Sequence, residues 1–144
     1  MAQISLDNLG EIDRMFHELG EIPFEVTEEA LNAMAAVAEE HVRRTGQTMG
    51  VRDPESRVHI LDTVTHTKPK KSDAGGYSDV TFSGTRTRGR TKTRNAEIAF
   101  LNEYGKRGQA PRPFIKQAAE QGADAIAKPG EEIIGAWFEK VAGS

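Results

Sequence analysis

The sequence predicts an α+β fold, a small antiparallel β-sheet with a long helix from the N-terminal half and C-terminal helices packed on it. Three observations lead there. Apolar residues recur at three- and four-residue spacing toward both ends of the chain. A short stretch in the middle, YSDVTFS, alternates apolar and polar residues as a half-buried strand does. Glycine and proline punctuate the segments between. The 144 residues suit one domain, spanning 1–144, and hold no internal repeat.

The first helix is expected over residues 4–19, where Leu6, Leu9, Ile12, Met15 or Phe16, and Leu19 follow the helical period. Gly20 is its stop, and Ile22 and Pro23 form an extended link. A second, longer helix is capped by Thr27, with Glu28 and Glu29 on the positive end of its dipole. It runs to about Thr45, with Leu31, Met34, Val37 or Ala38, and His41 or Val42 on one face and Gly46 as its end. Pro54 opens a short helix, PESRVHILDTV, although its β-branched residues also allow a strand. Thr65–Lys71 and Tyr77–Ser83 make a hairpin with Val80 and Phe82 inward. Pro69 places its first strand at an edge.

Residues 84–94, GTRTRGRTKTR, hold no apolar residue to anchor them and read as a flexible basic arm, either a mobile loop or an exposed hairpin. If extended, Arg86, Arg88, Arg90, Lys92 and Arg94 share one face. Ala96–Tyr104 carries Ile98, Phe100, Leu101 and Tyr104. Gly105 and Gly108 interrupt it, and Pro111 and Pro113 bracket Arg112. Pro113 starts a helix, since proline's missing N–H is unpaired there anyway, and Phe114 pins that start to the core. The helix runs to Lys128, is broken or kinked by Pro129 and Gly130, and resumes over 131–142 with Trp137 facing the core.

Composition narrows the chemistry. Without cysteine there is no disulfide and no thiolate metal site. No apolar run reaches the length of a membrane span, and the N-terminus lacks the order of a signal peptide. His17, His41, His59 and His66 form no metal-ligand spacing. No phosphate-binding glycine loop and no nucleophile elbow is present. Neither catalytic residues nor cofactors are therefore expected, and an enzyme is disfavoured. Charge is uneven beneath a net −3: residues 1–50 hold three basic and ten acidic residues, residues 51–112 thirteen and seven. Such asymmetry orients partners.

The stretch from Glu103 to Phe114 also carries a resemblance. Glu103-Tyr104-Gly105, a short basic loop, then Ala110, Arg112, Pro113 and Phe114 resemble the signature of the tail-completion, or head–tail joining, family of long-tailed bacteriophages. Pro111 is an insertion relative to that pattern. The resemblance implies a structural virion protein of a phage or prophage that completes the head-proximal end of the tail and joins head to tail. It implies a ring of like subunits, six in number, in contact with head-completion or connector proteins above and the tail terminator or tube below. The location would be the virion neck, reached from the host cytoplasm during assembly. Glu103, Tyr104, Gly105, Arg112, Pro113 and Phe114 would be interface or elbow residues, Glu103 in contact with Arg112. The basic arm would order on a neighbouring subunit or meet DNA in the channel. The alternative is a small non-enzymatic nucleic-acid-binding protein that uses arm residues 86–94.

Overall fold

A computed structural model describes residues 3–5, 22–53, 58–73 and 75–143. They form an α+β fold of three helices and short antiparallel strands. Strand β1 is Gln3–Ser5, helix α1 is Phe24–Thr48, and strands β2 and β3 are Val64–His66 and Tyr77–Phe82. Strands β4 (Thr85–Arg88) and β5 (Thr91–Arg94) lead into helix α2 (Asn95–Tyr104), and α3 (Phe114–Ala142) closes the chain.

Central strand β3 pairs with β1 along one edge, Ile4 opposite Ser78, and with β2 along the other, His66 opposite Val80. Its alternation places Ser78, Val80 and Phe82 inside, as the sequence pattern predicts. The hairpin extends beyond β2, where Lys70 pairs with Tyr77. The register there has slipped by one residue, and Pro69 lies in the slip, where no ladder N–H is required of it. The helix expected over 4–19 is not the state of Ile4 and Ser5. These pair as strand with β3, and the remainder of that prediction lies outside the described residues.

Helix α1 buries Ala30, Leu31, Met34, Ala35, Ala38 and Val42 as one stripe. It is longer at both ends than its sequence signals suggest. Pro23 rather than Thr27 precedes the first turn, and Thr27 is buried inside it. Gly46 lies within the helix instead of ending it. A Cβ there would stand 2.5 Å from Leu61 Cδ2 and 3.2 Å from Phe114 Cδ2. The glycine thus serves close packing, and the end comes later in a Schellman motif, with Val51 N–H donating to Gly46 O and Gly50 N–H to Gln47 O.

Within the expected helix after Pro54, residues 54–57 lie outside the described part. Ile60–Thr63 form a single 3₁₀ turn, and the chain is strand by Val64. The β-branched residues favour the ladder with β3 over further helix. Helix α3 runs through Pro129 without a break. Ile126 and Ala127 before the proline and Ile133 and Ile134 after it pack on the same core. That burial offsets the roughly 3 kcal/mol an interior proline costs. Trp137 is half-buried rather than enclosed. Helices α1 and α3 run against each other. Gly122 permits the approach, because a Cβ there would meet the His41 ring at 2.9 Å.

Candidate functional site

Helix α2 organises the candidate site. Its buried face is Asn95, Ile98, Ala99, Asn102 and Glu103, three of them polar. Each polar side chain satisfies the backbone of another segment, as burial of such groups requires.

Glu103, 7% exposed, works at the elbow. Its carboxylate accepts the N–H of Ile115 at 2.8 Å and of Lys116 at 3.0 Å. These are unpaired donors in the first turn of α3. Pro113 offers no capping side chain, so the acid of the preceding helix does that work, and its negative charge meets the positive end of the α3 dipole. The expected contact of Glu103 with Arg112 is not made. The Arg112 backbone N–H donates to Asn102 O at 2.6 Å, and its Nη1 is buried without a hydrogen-bond partner among the described residues. The Glu103 carboxylate is instead directed at the two helix N–H groups.

Between the two helices the elbow is tightly closed. Lys106 and Gln109 exchange both backbone hydrogen bonds across a two-residue turn. Gly105 sits at φ 79, ψ 175, a region open to glycine almost alone. A Cβ there would lie 2.9 Å from Gln109 O and 2.9 Å from Pro111 N. Phe114 is fully buried and meets Phe82 edge to face, ring centroids 6.0 Å apart. Gly105, Pro113 and Phe114 therefore take the positions in the elbow that their sequence pattern suggests.

The outer face of α2 turns apolar toward its C-terminal end, beyond the exposed Glu97. Phe100 and Tyr104, one helical turn apart, are 53% and 62% exposed, with ring centroids 4.4 Å apart. With Pro113, Ile115 and Ala119 they line an open groove of about 490 Å³, to which Lys116 and Glu120 also contribute. Exposed aromatic side chains grouped in this way are the kind of surface other proteins cover.

At the other end of α2 the basic segment takes the hairpin alternative, with β4 and β5 paired antiparallel. Gly89, at φ 63, and Arg90 form a two-residue turn, suited to the twist of the flanking strands. Its register pairs Arg86 with Thr93, Thr87 with Lys92 and Thr85 with Arg94. Cross-strand partners share a face, so Lys92 and Arg94 lie opposite to Arg86, and the five cations do not form one stripe. Arg88 pairs through its backbone with Thr91.

Arg86 anchors the hairpin. Its guanidinium pairs with Asp53, whose side chain is 1% exposed, and Nε donates to Asn95 Oδ1 at 2.8 Å. Asn95 Nδ2 donates in turn to Ser83 O at 2.7 Å, and its N–H to Gly84 O at 3.0 Å. Asp53 also accepts the Ile60 N–H at 2.7 Å. Arg94 pairs with Glu97 at the surface, and Arg90 and Lys92 are exposed.

Asp53, Asn95 and Asn102 were not singled out by sequence reasoning. Asn102 matches the backbone of Arg52 on both sides. Its Oδ1 accepts the Arg52 N–H at 2.9 Å and its Nδ2 donates to Arg52 O at 3.0 Å. The asparagines did leave a signal, since Asn95, Ile98, Ala99 and Asn102 are spaced as one helical face. Asp53 left none, because its partner is 33 residues away.

Among the described residues no cluster of three potential metal ligands occurs, and no helix is long and apolar enough to cross a membrane. No protein-family model, curated protein or solved structure matches the chain.

Proposed function

We propose that the chain is a non-enzymatic structural protein of a long-tailed phage or prophage. It completes the head-proximal end of the tail and joins head to tail as a ring of like subunits. The observation that carries this reading is the convergence of the signature on one device. Glu103, Gly105, Pro113 and Phe114 build a rigid joint between α2 and α3, and that joint holds Phe100 and Tyr104 beside Ile115 and Ala119 as an exposed groove. A ring closes through unlike patches on each subunit, and the groove supplies one of them, covered by the neighbouring copy. Head-completion proteins and the tail terminator or tube are the partners above and below.

The test is electron microscopy of lysates from the encoding phage with this gene deleted. Filled heads lying apart from tails, or tails with aberrant upper ends, are expected. Fully joined, infectious particles would overturn the reading.

A further inference from the structure

We propose that the β4–β5 ribbon is a contact for duplex nucleic acid. This goes beyond the neck reading and does not depend on it.

The first support is composition seen in place. Thr85–Arg94 contains five cations, no acid and no apolar side chain. A protein partner is normally gripped by a buried apolar or aromatic anchor, and this ribbon has none to offer. It also has no aromatic ring on which unpaired bases could stack. Cations with interleaved threonine hydroxyls are instead the chemistry of phosphate contact.

The second support is form. The ribbon is held as a projection by Arg86 on Asp53 and Asn95 and by Asn95 on Ser83 and Gly84. A tethered hairpin forfeits less entropy on binding than a mobile arm. Two antiparallel strands are a shape that the major groove of B-form DNA, about 12 Å wide, admits. Arg86 and Arg94 are matched by acids at the ribbon's base, Asp53 and Glu97. Arg90 in the turn and Lys92 beside it are exposed, and among the described residues neither has an acid within ion-pair distance. The contact is therefore assigned to the tip.

The experiment measures binding of the full chain to a fluorescent random-sequence duplex, with the matching single strand and polyglutamate as competitors. Salt is varied from about 50 to about 200 mM, the range over which phosphate contacts weaken strongly. Duplex binding should fall with salt and be equal across sequences. Arg90→Ala with Lys92→Ala should make the slope of log K against log salt shallower by about 1.8, or 0.9 for each of two phosphate contacts. Circular dichroism identical to the parent would confirm the fold of that variant. An unchanged slope in the variant, no duplex binding at the lowest salt, or tighter binding to the single strand would each overturn the proposal. Equal competition by polyglutamate would assign the ribbon to an acidic protein surface and overturn it too. None of these results bears on particle joining, which microscopy reads separately.

Discussion

Removal of the Glu103 carboxylate is the most direct test of the elbow. It accepts two backbone N–H groups at 2.8 and 3.0 Å from a side chain that is 7% exposed. Hydrogen bonds to a charged group contribute about 1.5–3 kcal/mol each. In Glu103→Ala the Ile115 N–H stays buried without an acceptor, whereas the Lys116 N–H can recover part of its bond from water. The expected loss is about 3 kcal/mol, which for a domain of this size lowers Tm by about 10 °C. Glu103→Gln keeps one acceptor oxygen but turns an NH₂ group toward the other N–H, and should lose about 1–2 kcal/mol. The control is Glu97→Ala on the outer face of α2, where only an exposed pair with Arg94 is removed, worth under about 1 kcal/mol. Urea unfolding followed by circular dichroism gives all three values, provided the m-value is unchanged. If Glu103→Ala falls within about 0.5 kcal/mol of the Glu97 control, the carboxylate does not cap α3 and the account of the joint fails.

Three further outcomes follow from the packing. Gly105→Ala should destabilise by at least about 2 kcal/mol from backbone strain, before the contacts with Gln109 and Pro111 are counted; a urea midpoint equal to the parent's would contradict the elbow geometry. Gly46→Ala adds a better helix former, yet its Cβ would press on Leu61 and Phe114. A net loss of about 1–2 kcal/mol is expected in calorimetry, and a stabilised protein would show that the helices do not approach so closely. Arg86→Met leaves the Asp53 carboxylate buried and should cost about 3–5 kcal/mol. Adding Asp53→Asn should recover part of that loss, and strict additivity in the double-mutant cycle would rule out the pair.

Much of this fold is legible in the sequence because its signals are local. The alternation of Tyr77–Phe82 states which residues face inward, and the small apolar stripe of α1 states its buried side. Glycine and proline mark the elbow, and they do build it. What escaped is what depends on distant residues. Ile4 and Ser5 become strand because β3 has an edge to offer them, although their own neighbourhood reads as helix. Gly46 resembles a helix stop until Leu61 and Phe114 are placed against it. The faces of α2 depart in part from simple hydropathy, with Phe100 and Tyr104 outside and Asn95 and Asn102 buried beside Ile98 and Ala99, because the asparagine amides match backbone groups that no apolar residue could satisfy. The anchor of the arm is Asp53, which nothing near Arg86 in sequence could indicate.

Two adjacent residues, Arg52 and Asp53, connect to both ends of α2. Arg52 meets Asn102 near its last turn, and Asp53 meets Arg86, which in turn holds Asn95 at its first. The last turn cannot detach without losing its bonds to Arg52, 50 residues earlier, nor the first without losing its bond to Arg86, itself held by Asp53 33 residues before it. The hairpin, the short helix and the elbow are thus linked through one short segment, so their slowest amides should report a shared opening free energy in hydrogen exchange. On folding, the bonds of Arg52 with Asn102 and of Asp53 with Arg86 require closure of loops of 50 and 33 residues, an entropic cost that pairing within the hairpin does not carry.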